Sequence, residues 1–222
     1  DEVVVTASKN EGVRMPATFL RRQADFLLLN VKIQNDSRDY KTRRDEIYAT
    51  LRALQAAAEK DKTIELSIIR DEIIVLPLQL DDTTLGFQNS GTNGTLETTI
   101  SVKTRIGTTA SGAALIAKLK NFVAGIKPVG RSNLDDDEET QVSVVNIAQY
   151  RDPVVQLFAN DVKKTTTALG GDYRVVIRGL DQPLQWIRSG TLEVIIFVPY
   201  AYDVVPTTIS SYSPTHLKRG DD

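Results

Sequence analysis

From Ala24 the chain reads Ala24-Asp25-Phe26-Leu27-Leu28-Leu29-Asn30-Val31-Lys32-Ile33-Gln34, with Leu29, Val31 and Ile33 alternating against Asn30, Lys32 and Gln34. A period of two with one apolar side predicts a half-buried strand. The period then changes: Ile47, Leu51, Leu54 and Ala58 recur at spacings of four, three and four, predicting a helix behind the cap candidates Ser37 and Asp39. Its other face, with Lys41, Arg43, Arg44, Arg52 and Lys60, reads as solvated. Ile64-Glu65-Leu66-Ser67-Ile68 resumes the alternation, and a second apolar run from Asp71 to Leu80 ends near Pro77. Residues 81–94 hold many turn formers and read as a loop.

From Leu96 the alternation is clean, with Leu96, Thr98, Ile100, Val102 and Ile106 near one face and Glu97, Ser101, Lys103 and Arg105 on the other. This predicts a sheet with one wet side. A second helix begins near Ser111, carries Leu115, Leu119, Phe122 and Ile126 with Ile116 and Val123 beside them, and stops before Pro128. The acidic run Asp135-Asp136-Asp137-Glu138-Glu139 leads into a strand from Gln141 to Ile147. A third helix is capped by Asp152, starts at Pro153, buries Val155, Phe158, Val162 and Leu169, and exits through Gly170-Gly171. Strands at Tyr173–Leu180 and Leu192–Tyr200 follow, and the segment past Pro206 has the composition of a tail. The predicted order is β-α-β-β-α-β-α-β-β. Three helices with no glycine-rich phosphate turn make this an α+β layered fold with mostly antiparallel sheets.

Composition narrows the function classes. Of 222 residues, 41% are hydrophobic and 25% charged, enough for a real core. Twenty-seven basic against 29 acidic side chains leave a net charge of -2. That balance supplies no overall field for a phosphate backbone, so nucleic acid is not expected as a partner. No transmembrane segment is expected, because the strongest apolar stretch, Leu192 to Tyr200, is short and contains Glu193 and Pro199. A start at Asp1 reads as a mature exported chain freed of its signal, or as a trimmed one. Zero cysteines permit an oxidising compartment without demanding it.

Candidate chemistry is sparse. Without cysteine, and with His216 alone in the polar tail, neither thiol nor histidine-based catalysis has material to work with. Asp135 to Glu139 lacks the glycine and spacing of a calcium loop and reads as a solvated, self-repelling turn, as do Asp81-Asp82 and Asp71-Glu72. No phosphate-binding glycine pattern occurs; Gly91 and Gly94 read as hairpin punctuation. Trp186, Phe197, Tyr200 and Tyr202 gather near the last strand and are expected in the core or at a subunit contact. No catalytic residue, metal ligand or cofactor is expected.

Glu2-Val3-Val4-Val5-Thr6-Ala7 resembles the TonB box, the peptide by which outer-membrane transporters of Gram-negative bacteria reach the protein TonB. The resemblance implies docking by strand addition, for which a run of valines is suited. Equally, the same residues read as a strand built into the fold or into an assembly. Residues 17 to 200 resemble the SIMPL-like proteins, bacterial proteins of the periplasm or outer membrane. Three stretches carry this: Ala24 to Val31, with Ala24 where proline is usual; Gly94 to Ile106 with the helix from Ser111; and Asp152 to Ile177 with the exit Leu169-Gly170.

That resemblance implies a periplasmic location, a SIMPL-like layered fold, no catalytic residues and assembly into homo-oligomers. The organisation expected is a TonB-box-like segment over 1–16, an α+β region over 17–205, divisible near 81–94, and a tail over 206–222. Two functions follow: a non-enzymatic periplasmic interaction protein that self-assembles and docks TonB or a TonB-dependent transporter, or a ligand-binding accessory of TonB-dependent uptake.

Overall fold

A computed structural model describes residues 1–5, 16–90 and 94–210. It separates into two compact units. The first is built mainly from Arg22–Ile147, with β1 (Glu2–Val5) and Ile187–Val194 added. The second takes in Ala148–Trp186 and the chain from Ile195. The chain crosses between them within β2 (Leu20–Gln23) and later within the last third of the sequence.

In the first unit follow β3 (Phe26–Asn35), α1 (Tyr40–Lys60), β4 (Ile64–Arg70), β5 (Ile74–Pro77), α2 (Asp82–Leu85), β6 (Gln88–Ser90), β7 (Thr95–Arg105), α3 (Gly112–Ala124), β8 (Ser132–Asp136) and β9 (Gln141–Val145). Six of these strands close on themselves in the order β7-β4-β5-β1-β9-β3, with β3 returning to β7 from Phe26↔Arg105 to Asn35↔Leu96. Every pairing is antiparallel, as an even number of staves allows. β6 and β8 extend the walls along β7 and β3. The α+β class and the largely antiparallel pairing expected from the patterning are present.

The outward face of β3, with Leu27, Leu29, Val31 and Ile33 fully buried, lies under α1 and α3. Helix α1 presents Ile47, Leu51 and Leu54 to it, one apolar stripe at helical spacing. Asp39 caps this helix, its carboxylate accepting the Thr42 N–H at 2.9 Å. Removing the Leu51 side chain from this layer leaves a cavity whose cost is about 2–5 kcal/mol.

Several expectations change. The polar side of β7 is wet only in part: Ser101 and Lys103 are buried, because barrel closure turns them inward, while Glu97 is half-buried and Arg105 exposed. Residues 81–94 are not all loop. Asp81 accepts the Thr84 N–H at 2.8 Å and starts α2, and Gly86, at φ 54, ends it in the left-handed region that glycine tolerates. Among the described residues there are therefore four α-helices, and thirteen strands where six were expected. The first two acidic residues of the 135–139 run belong to β8, with Asp135 opposite Lys32.

In the second unit a 3-10 turn (Ile147–Tyr150) runs into α4 (Arg151–Leu169). The turn moves the helix start upstream, so Tyr150 rather than Asp152 is its cap, while Pro153 keeps a first-turn place that needs no N–H partner. Phe158 is buried as expected, but Val154 rather than Val155 is buried with it, Val155 and Val162 are half-buried, and Leu169 is exposed. Phe158 packs at a tilt against Tyr200, ring centroids 4.1 Å apart and planes inclined by 58°. Beyond α4 come β10 (Tyr173–Arg178), β11 (Gln185–Arg188), β12 (Glu193–Phe197) and β13 (Ala201–Pro206). β10 and β13 form a two-stranded antiparallel ribbon in which Val175 faces Val204 and Ile177 faces Tyr202.

Candidate functional site

Strand alternation sorts the barrel residues into an outer apolar set and an inner mixed set. β1 and β7 lie on opposite sides of the barrel, yet Glu2 Oε2 reaches Lys103 Nζ at 2.5 Å. The interior is thus where Glu2, Lys103, Phe26, Leu28, Asn30, Ser101 and Ser143 meet. Lys103 is held further by Glu65 at 3.4 Å and lies 4.2 Å from the centre of the Phe26 ring. Ser143 Oγ donates to Glu2 Oε1 at 2.6 Å. An ion pair this buried is tolerable because each charge keeps a partner and further polar contacts. Val4, Phe26, Leu28 and Val75, with Ile69 against them, fill the apolar part of the interior.

The expected partner-binding residues Glu2, Val3, Val4 and Val5 are the staves of this closure. Val4 and Val5 are buried, and the strand pairs antiparallel with β9 along its length and with β5 at Glu2 and Val3. Strand addition through β1 requires its withdrawal from both neighbours and leaves Lys103 without Glu2. Thr6 and Ala7, the other two residues of that set, lie outside the described residues, as does His216.

At one end of the barrel a cleft of about 330 Å³ is lined by Asn30, Ile69, Glu72, Thr99, Ser101 and Gln141. Five of the six come from inward-facing strand positions; Glu72 comes from the β4–β5 turn. Ser101 Oγ donates to Asn30 Oδ1 at 2.6 Å. Gln141 Oε1 is buried and has no hydrogen-bond partner among the described residues. The turn is closed by Ile73 N–H to Arg70 carbonyl at 3.1 Å, and both its central residues are left-handed, Asp71 at φ 52 and Glu72 at φ 61.

A second cleft, about 460 Å³, lies beside α1 and is lined by Arg44, Asp45, Tyr48, Arg52, Leu80, Asp81 and Asp82. Its charges satisfy one another. Arg44 donates from Nε and Nη2 to Asp82, and the Tyr48 hydroxyl donates to the same carboxylate. The Arg44 and Tyr48 hydrogen bonds hold the Asp82 carboxyl below the usual range. Burial, then the bond to Asp82, pushes Tyr48 up to about 12. This cleft is a clamp between α1 and α2.

In the second unit, Tyr173, Val175 and Ile177 share one face of the ribbon with Tyr202, Val204 and Pro206. Tyr173, Ile177 and Val204 are each about two-fifths exposed. Of the aromatic residues expected in the core or at a subunit contact, Phe197 is buried, while Trp186, Tyr202 and Tyr200, which packs on Phe158, are half-buried.

Among the described residues, no three His, Cys, Asp or Glu side chains gather closely enough to hold a metal ion, and no helix is long and apolar enough to cross a membrane. Asn30, Ser101 and Gln141 escaped sequence reasoning because alternation labels them solvent-facing; closure of the sheet is what brings them together. No family model, curated protein or solved structure matches this chain.

Proposed function

We propose that the chain is a non-enzymatic interaction protein that assembles with copies of itself through the β10/β13 ribbon. The observation that carries this reading is the exposed apolar face of a ladder that is two strands wide among the described residues. A lone two-stranded ribbon is marginal in water, and each of its strands keeps an edge of backbone groups that a further strand can pair.

The sequence of β10 favours a second copy as that strand. In an antiparallel pairing of two β10 edges about a two-fold at Val175, Tyr173 faces Ile177, Arg174 faces Val176, and Asp172 faces Arg178. Apolar residues then oppose apolar ones on the exposed face, and the outermost pair carries opposite charges. A register centred one residue later sets Arg174 against Arg178 and is disfavoured.

Sedimentation equilibrium of the full chain at micromolar concentration tests this. Wild type is expected to associate, and Val175→Lys, which sets two lysines opposite each other on the two-fold, is expected to sediment as a monomer. A monomeric wild type, or a Val175→Lys variant that still associates, overturns the proposal.

A further inference from the structure

We infer that the polar end of the barrel is a binding site for a small primary amine, held as its ammonium ion. This goes beyond self-assembly and involves the other unit.

The volume and the lining both point to a small ligand. A cleft of about 330 Å³ stands at the low end of the roughly 300–1,000 Å³ that small-molecule sites occupy. Two observations there lack a structural explanation. Gln141 Oε1 is a buried acceptor with no donor among the described residues, an arrangement that folded proteins rarely leave unmet. Glu72 occupies a left-handed turn position at φ 61, beside Asp71 at φ 52, where hairpins of this kind favour asparagine and glycine. Strained residues of this sort persist where the side chain serves a site.

The donor and acceptor inventory selects the class. Among the described residues Glu72 is the only formally charged side chain in the lining, so an anion is disfavoured. Asn30 Oδ1 is already engaged by Ser101. The acceptors left are the Glu72 carboxylate, Gln141 Oε1, Thr99 Oγ1 and the lone pairs of Ser101 Oγ, and an ammonium group brings three donors. Ile69 supplies an apolar wall for the attached methylenes. A divalent cation is poorly served, since it requires more oxygen ligands with more carboxylate among them.

Isothermal titration calorimetry on the full chain tests this, with butylamine as the probe and butanol and butyrate as neutral and anionic controls of similar length. Saturable heat is expected for butylamine alone. Gln141→Leu is expected to weaken it at least tenfold. Glu72→Gly is expected to abolish it while keeping or raising the thermal midpoint, because glycine relieves the turn; that separates loss of the site from loss of the fold. Absence of saturable butylamine heat, equal binding of butanol, or undiminished affinity in both variants overturns the inference. None of these outcomes bears on association through β10.

Discussion

Glu2 Oε2 and Lys103 Nζ, 101 residues apart in sequence, stand 2.5 Å apart inside the barrel on facing strands. The pair records how the fold is closed: β1 supplies one stave and, with it, the carboxylate that makes a lysine tolerable in an interior shared with Phe26, Leu28 and Val4. The first strand is therefore part of the core and not an appendage to it.

Removing one partner of this pair should be far worse than removing both. Lys103→Ala is expected to lower stability by about 3–5 kcal/mol, since it strands Glu2 in the interior. Replacing both residues with apolar ones of similar length, Glu2→Leu with Lys103→Met, should recover most of that loss. Urea unfolding of the two variants checks the expectation; equal destabilisation would mean the charges do not act as a pair.

Two features act together to favour glycine at position 130. It sits at φ 62, and a Cβ there would lie 2.1 Å from the Glu46 carboxyl carbon. Glu46 accepts the Arg131 N–H at 2.9 Å, Asn35 Nδ2 at 2.7 Å and Ser37 Oγ at 2.9 Å, and these bonds, the Arg131 N–H foremost, depress its carboxyl. Gly130→Ala should destabilise by more than about 1 kcal/mol. Because the folded Glu46 carboxyl lies below its ordinary 4.5, its contribution is present above that pH and is lost as pH falls through the folded value. Gly130→Ala should therefore also flatten the acid limb of a stability–pH curve measured by urea unfolding.

Tyr48 sets an alkaline limit. Its hydroxyl, raised from 10 to about 12 by burial and by the bond to Asp82, stays protonated in the folded chain over a range where the unfolded chain ionises. Its contribution is full below pH 10 and is lost as pH rises from there through about 12. Tyr48→Phe should remove that part of the fall in stability between pH 10 and 12. Thermal midpoints measured across that interval provide the check.

Much of the secondary structure was legible. The stripe of α1, the Leu119 and Val123 positions of α3, the cap Asp39, the alternation of β3 and β7 and the exit of α4 at Gly170, at φ 80, are local signals, set by spacing and backbone freedom. The closure was not legible, because it depends on pairing between residues far apart. Ser101 and Lys103 look like part of a wet face until β1 and β9 complete the wall. Leu20-Arg21-Arg22-Gln23 carries no alternation, so β2 leaves no trace in the pattern. In the sequence the Asp71-Glu72 turn reads as solvated charge, which a one-dimensional pattern cannot distinguish from a carboxylate positioned at a cleft. Its positive φ values emerge only once the β4–β5 register is known.

Hydrogen exchange at the amides of Val4 and Val5 tests the closure most directly. In the barrel these residues should exchange as slowly as Leu29 and Val31 of β3, through opening of the whole unit. Exchange within seconds at neutral pH, with β3 still protected, would mean that β1 is not a stave and that the barrel is open.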